Sequence, residues 1–418
     1  MMGEWKKYKL KDVCTILGDG LHGTPIYDDK GEFFFINGNN LKDGRISIKN
    51  DTKRVPYSEA NKYKKPLNNR TILVSINGTI GNVAKYQDEK CILGKSACFF
   101  NVKENVDLNF IYYVVANQQF KNTITQLATG TTIKNVSLET MRNYTFGIPP
   151  LSIQKQIGKI LSSFDEKIEL NRRINDNLEQ QAQALFKSWF VDFEPFLREE
   201  FFKSDSLFGD IPVEWHIVAI KDLSVYITDY VANGSFASLR ENVRLYDKPN
   251  YAHFIRNTDL KAESYKMYVD KHSYEFLSKS VLEGGEIIIS NVGDVGSVFL
   301  CPKLEKPMTL GNNIILLRPK KDYLTFYLYM LFKGGIGQHL IDGVTGGSAQ
   351  RKFNKTDFKS IKLMMPPVNI LIKFDRIVKP IFSKIEENRD EISRLTSLRD
   401  TLLPKLMSGE LKINDINN

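Results

Sequence analysis

The amino-acid sequence predicts an α+β protein of two tandem, strand-rich domains. Each is followed by a long helix, and the two helices pair as an antiparallel, pseudo-twofold coiled coil. Three observations lead there: the chain repeats itself at a nearly constant spacing, both copies end in a heptad-patterned segment, and the remainder consists of short apolar runs punctuated by Gly and Asn. The boundaries fall at residues 1–150 for the first domain, 151–195 for the first helix, 196–367 for the second domain and 368–418 for the second helix with its tail. At 418 residues, 42% hydrophobic and 26% charged, the chain is long enough for two packed cores and too apolar for a flexible tail.

The repeat is read from ordered pairs. Glu4-Trp5 corresponds to Glu214-Trp215, a spacing of 210. Asn77-Gly78-Thr79-Ile80-Gly81 corresponds to Asn291-Val292-Gly293-Asp294-Val295-Gly296, with Gly78 and Gly293 separated by 215. Gly94 then matches Gly311, Gly130 matches Gly347, and Pro149-Pro150 matches Pro366-Pro367, all at 217. A spacing that drifts and then locks is expected of diverged halves that differ by a few loop insertions.

The helices come from the end of each half. Lys167-Ile168-Glu169-Leu170-Asn171-Arg172 aligns with Lys384-Ile385-Glu386-Glu387-Asn388-Arg389. In the first copy Ile157, Phe164, Leu178 and Leu185 mark one seam position and Leu161, Ile168 and Ala182 the other. In the second copy Phe374, Ile381, Leu395 and Leu402 keep the same frame with Val378, Ile385 and Ile392. A surface helix is the usual reason for such a stripe, but two helices in a shared register favour the coiled coil. Ile157 to Trp189 would span about 50 Å at about 1.5 Å per residue. Ser152 and Asn369, just after the proline pairs, are the expected N-caps. Pro195 is expected to end the first helix, and Pro404 to end or kink the second. Asn171 and Asn388 occupy equivalent seam positions near the helix centres, where a buried polar pair would fix register by bonding one to the other.

The domains read as strands at Glu32–Ile36, Thr71–Ser75, Glu286–Ser290 and Asn313–Leu317, with a short helix in each at Phe110–Phe120 and Leu324–Phe332. The 58 Lys and Arg against 49 Asp and Glu give a formal charge of +9, which suits an anionic partner such as nucleic acid. Cys14, Cys91, Cys98 and Cys301 form no metal-ligand spacing and no disulfide framework. With no apolar signal segment near Met1 and no apolar run approaching a membrane span of about 20 residues, a cytoplasmic protein without membrane association is expected.

Catalytic signatures are missing. Gly94-Lys95-Ser96 resembles the end of a phosphate-binding loop, but position 89, where that loop requires glycine, is Glu89. The proline pairs follow Ile148 and Met365, so neither completes the Asn/Asp-Pro-Pro-aromatic element of an amino-methyltransferase. His22, His216, His253, His272 and His339 are scattered, and no pair of acids is spaced for acid/base work. A non-catalytic chain without cofactor or metal of its own is expected.

What remains is recognition chemistry in matched polar loops. Asn and Gln can read adenine, Arg and Lys can read guanine, Thr and Ser can bond bases or phosphates, and glycines allow a close approach to the duplex. Taken singly such residues are ordinary turns; it is their recurrence at matching places that gives the loops a shared role. The DNA-binding candidates are His22 and Thr24 in a Gly-rich turn, Asn77 and Thr79, and Thr129, Thr131, Thr132 and Lys134 in the first domain. In the second they are Asn291 and Asp294 with Ser348, Gln350, Arg351 and Lys352.

From Pro149-Pro150-Leu151-Ser152-Ile153-Gln154-Lys155-Gln156-Ile157 through Lys167-Ile168-Glu169-Leu170-Asn171-Arg172-Arg173-Ile174-Asn175 to Phe186-Lys187-Ser188-Trp189-Phe190-Val191-Asp192-Phe193, the sequence closely resembles the specificity (S) subunits of type I DNA restriction-modification systems. Leu402-Leu403-Pro404-Lys405-Leu406-Met407-Ser408-Gly409-Glu410 is similar to that family's C-terminal region. The resemblance spans the whole chain as domain, helix, domain, helix. It implies two target-recognition domains that each read half of a bipartite site in double-stranded DNA, with the helices as a ruler between them. It also implies two adenine methyltransferase subunits that bind S-adenosylmethionine and, for cleavage, two restriction subunits that use ATP and Mg2+. The competing reading is a stand-alone DNA-binding or regulatory protein with no methyltransferase partner. Phe186, Trp189, Phe190 and Phe193, with Leu406 and Met407, are expected as exposed apolar helix ends that either cap the helical core or dock the methyltransferase.

Overall fold

The structure is a computed structural model and describes residues 5–203, 208–347 and 350–411. The chain divides into two compact units, one of residues 1–171 with 391–418 and one of residues 172–390. Both long helices are therefore shared out between the units. No helix among the described residues is long and apolar enough to cross a membrane.

The first unit is built on an antiparallel sheet in the order Cys14–Asp19, Ala97–Val102, Thr71–Ser75, Val83–Lys85. Thr71–Ser75 and Ala97–Val102 are buried on both faces, which explains their unbroken apolar reading. A second sheet pairs Phe33–Ile36 with Arg54–Val55 and, in parallel, with Cys91–Leu93. Lys6–Lys9 closes on Thr145–Ile148 just before the first long helix. The second unit repeats the plan: Val225–Asp229, Ile314–Pro319, Ile287–Ser290 and Val298–Leu300 take the same strand order, and His216–Ala219 closes on Lys362–Met365. Its second sheet is larger, with Ala252–Ile255 parallel to Met308–Leu310.

The helix expected at Phe110–Phe120 is two helices, Leu108–Ala116 and Gln118–Gln126. Asn117 takes an extended conformation between them and its side chain accepts a hydrogen bond from the Gln119 N–H, capping the second helix. Thr325–Lys333 and Gly335–Gly343 repeat the break at Gly334.

The first long helix runs Leu151–Phe190 and the second Val368–Ser408. Both start directly after the proline pairs, so Ser152 and Asn369 lie inside the first turn rather than at the cap. The first stops five residues before Pro195, and the chain turns at Phe193, whose φ is 54°. Pro404 does not end the second helix, nor does Pro380; both face solvent, where water can satisfy the carbonyl that a proline leaves free.

Within each unit the helix segments pair antiparallel. In the first, Asp165 meets Arg399 at 2.6 Å and Asn171 donates to Glu391 at 2.7 Å, so partner numbers fall as the helix advances. In the second, Asn388 donates to Asn175 at 2.8 Å and the ring of Phe186 lies 6.1 Å from that of Phe374. Asn171 and Asn388 are thus buried seam asparagines, but they are not each other's partners; each bonds a polar residue of the facing helix.

The apolar helix ends are not exposed. Phe186, Phe190 and Phe193 are buried in the second unit's core, where Phe190 and Phe193 pack on Trp215. Leu406 is fully buried in the first unit's core, with Met407 packed against it. A docking role has no free side chain at Phe186, Phe190, Phe193 or Leu406, and Trp189 and Met407 retain only part of their surface. The repeated tryptophans explain why: each sits at the start of a domain and covers the end of a long helix, Trp5 against Gly409 and Trp215 against Phe190.

Candidate nucleic-acid interface

In the first domain the loop after Thr71–Ser75 folds back on its own strand. The N–H of Gly81 donates to Ser75 O at 2.9 Å and that of Asn82 to Ser75 Oγ at 2.8 Å. Gly78 and Gly81 have φ of 72° and 83°, a conformation that favours glycine. The loop is stitched to the other polar segment: Gly78 N–H donates to Lys134 O at 3.2 Å, Val136 N–H to Ile76 O at 2.8 Å and Asn77 Nδ2 to Asn135 Oδ1 at 3.2 Å. Thr129 and Asn135 exchange backbone bonds of 2.9 and 2.7 Å, which close a tight loop and leave Thr131, Thr132 and Lys134 exposed at its tip. Thr129 is exposed as well, with its Oγ1 donating to Asn135 O at 3.5 Å, and Thr79 is exposed on the facing loop.

The second domain builds the same pair. Gly293 N–H donates to Arg351 O at 3.1 Å and Phe353 N–H to Asn291 O at 3.1 Å, while Gly346 and Lys352 exchange two bonds of 2.9 Å. Gln350, Arg351 and Lys352 are exposed; Ser348 lies outside the described residues. Arg351 is held by Asp342 at 2.5 Å. Two candidates play structural parts. The Asn291 amide nitrogen is committed to Phe353 O at 3.3 Å and its Oδ1 is buried, so the side chain does not face outward as a base reader would. Asp294 accepts from Lys261 and Ser297 at 2.5 Å and from Asn257 at 3.2 Å. Burial alone would raise its pKa, but these donors hold the carboxyl below the usual carboxylate range.

His22 stands in a third loop, pinned by the bond from Leu21 N–H to Leu93 O at 2.7 Å, with Nε2 2.5 Å from Asp19 Oδ2. Thr24 is exposed on the same loop. His22 and Asn77 line an open groove of about 450 Å³ together with Asp19, Lys95, Asn135 and Ser137. Lys95, Asn135 and Ser137 were not legible as site residues. Lys95 had a signal in Gly94-Lys95-Ser96, but one that belongs to a turn: Ser96 Oγ donates to Asn37 Oδ1 and accepts from Gly38 N–H, both at 2.9 Å. Among the described residues no three His, Cys, Asp or Glu side chains gather as a metal site requires.

A strand-rich domain that presents stitched polar loops, written twice, is the architecture of a recognition module. Residues 2–180 and 212–396 both match the family model described as the type I restriction modification DNA specificity domain, and the chain belongs to that family. It is a specificity subunit, not itself a methyltransferase or nuclease. Similar proteins include the type I restriction enzyme MjaIX specificity subunit of Methanocaldococcus jannaschii, 26% identical over 352 residues that cover 83% of this chain and 78% of that one. The HindI specificity subunit of Haemophilus influenzae is 24% identical over 486 residues, covering 98% of this chain and all of its own, 100%. The crystal structure of the type I restriction-modification S subunit from M. genitalium shares the fold with a TM-score of 0.52, at 22% identity and 96% coverage of both chains.

Proposed function

We propose that this chain recognises a bipartite, gapped site in double-stranded DNA, each domain reading one half-site, and that it positions two adenine methyltransferase subunits there, with two restriction subunits joining for cleavage. The observation that carries this reading is the recurrence of the same stitched loop pair, residues 76–81 with 129–136 and residues 291–296 with 346–347 and 350–353. Loops tied to one another by backbone bonds present a fixed set of donors and acceptors, which base reading requires. S-adenosylmethionine, ATP and Mg2+ belong to the partner subunits in this reading, and the four unpaired cysteines suit assembly in the reducing cytoplasm.

The test is single-molecule methylation sequencing of DNA from cells that express the chain with its methyltransferase, against cells lacking the chain. A two-part motif with methyladenine on opposite strands, absent from the control, is expected. No chain-dependent methylation beside an active methyltransferase would point to a stand-alone regulatory protein instead. Replacing Gln350, Arg351 and Lys352 together by Ala should alter only the half-site read by the second domain. A uniform loss over all sequences would instead assign these residues to phosphate contact.

A further inference from the structure

We propose that the ion pairs Arg45–Glu169 in the first copy, and Arg389–Glu263 with Lys303–Glu386 in the second, set the angle of each reading domain on its helix and so make the complex demand one spacer length. The inference rests on the DNA-reading function proposed above.

Each domain meets its own long helix first through apolar packing, at Ile157 and Leu161 in the first copy and at Phe374 and Val378, 217 residues on, in the second. It then meets the helix again through charge, and each of these ion pairs lies inside one compact unit. Arg45 Nη1 and Nη2 donate to the two carboxylate oxygens of Glu169 as a fork. At the corresponding turn of the second helix Lys303 Nζ lies 3.4 Å from Glu386 Oε2, and Arg389 Nη2 lies 3.2 Å from Glu263 Oε1. Glu169 and Glu386 are equivalent in the repeat, each 18 residues past the first residue of its helix. Their domain-side partners also come from matching places. Phe33–Ile36 and Ala252–Ile255 are the strands that pair in parallel in the two second sheets, and Arg45 follows the one by nine residues as Glu263 follows the other by eight. The helix supplies the anion in Arg45–Glu169 and the cation in Arg389–Glu263, so the place of contact recurs while its chemistry differs.

All of these side chains are partly exposed, and such pairs add little to stability. Two separated attachments do fix an angle. From the start of the helix to the glutamate is about 27 Å, so a tilt of about 7° moves the far end by about 3.4 Å, one base-pair step. The clamped segments also hold the reading loops. In the second domain Glu263 is the C-cap of the helix Asn257–Ala262, whose Asn257 and Lys261 bond Asp294 of the loop 291–296 at 3.2 and 2.5 Å. In the first, the hairpin that carries Arg45 follows the turn Gly38–Asn40, where Gly38 N–H donates at 2.9 Å to Ser96 Oγ, next to Lys95 of the groove. That hairpin sits tightly on its domain: Gly44 has a φ of 82°, and a Cβ there would lie 2.6 Å from Tyr112 Oη. A domain that tilts on its helix therefore carries its base-reading groups with it.

The test is methylation sequencing of DNA from cells that express the full chain with its methyltransferase, comparing sites of the wild-type spacer with the same half-sites one base pair nearer or farther. Glu169→Gln, and separately Arg389→Gln with Glu386→Gln, should raise methylation of the off-length sites about fivefold, equivalent to about 1 kcal/mol of lost restraint, with both half-sites unchanged. Exchanging the charges, as Arg45→Glu with Glu169→Arg and as Glu263→Arg with Arg389→Glu, should restore the single length. The thermal unfolding midpoint of the purified chain should stay at the wild-type value throughout, which separates a lost angle from lost folding. Off-length sites that stay unmethylated in the neutral variants, or a relaxation that the charge exchanges do not reverse, overturns the angle-setting role and leaves the DNA-reading function standing. Absence of any chain-dependent motif overturns both.

Discussion

Glu286 and Arg318 show how one site is solved twice. Glu286 is buried, accepts N–H bonds from Glu283 and Gly284 at 2.7 and 2.8 Å, and meets Arg318 Nη2 at 2.6 Å. At the corresponding place in the first domain, Thr71 Oγ1 donates to Asn101 Oδ1 at 2.6 Å, a neutral pair in place of an ionic one. Burial alone would raise the pKa of Glu286, but the Arg318 guanidinium and the turn N–H groups hold it below the usual carboxylate range. A depressed folded value means that the stabilisation is present above the unfolded pKa of about 4.3 and is lost as pH falls through the folded value. Glu286→Gln should therefore lower stability at pH 7 by about 1–3 kcal/mol and flatten the acid limb of the stability profile, read by urea unfolding from pH 3 to 7. A parallel profile in the variant would place the acid sensitivity elsewhere.

At the scale of elements, what was legible is what is periodic. The heptads located both long helices because a seam that recurs every seven residues from Ile157 to Leu185 leaves few alternatives, and the runs at Thr71–Ser75 and Glu286–Ser290 located strands buried on both faces. Two-residue strands such as Arg54–Val55 and Leu245–Tyr246 carry no period. The break at Asn117 is a local cap that interrupts an otherwise helical run, so the pattern on either side read as one helix. The matched loops were found through their glycines, but not which of their side chains face outward: Asn291 turns inward because Phe353, 62 residues on, offers it a carbonyl. Lys95 joins His22 and Asn77 only through bonds between distant segments, which no spacing encodes. The helix pair carries a prediction of its own. Inserting four residues, near one turn and about 6 Å, between Asn171 and Leu178 should lengthen the unread spacer of the DNA motif while both half-sites stay the same. Methylation sequencing reads this directly, and an unchanged spacer would sink the ruler function.

For the whole molecule, the division into units does not follow the order of the chain. Residues 391–411 belong with residues 5–171, and Leu406 is fully buried there beside Leu10 and Phe110. Leu406→Ala should cost about 2–5 kcal/mol, and hydrogen exchange should show protection lost within residues 5–171 while residues 172–390 keep theirs. Equal loss in both would mean that the two units unfold as one.

That division also sets an order of events during synthesis. The unit of residues 172–390 is continuous, so it holds everything it needs once it has left the ribosome. The unit translated first lacks Leu402, Leu403, Leu406 and Met407 until those residues are translated, and Trp5 has no Gly409 to cover meanwhile. The first domain made is thus the last to be finished, and a ribosome that stalls late releases a chain whose second domain is complete and whose first has an exposed core.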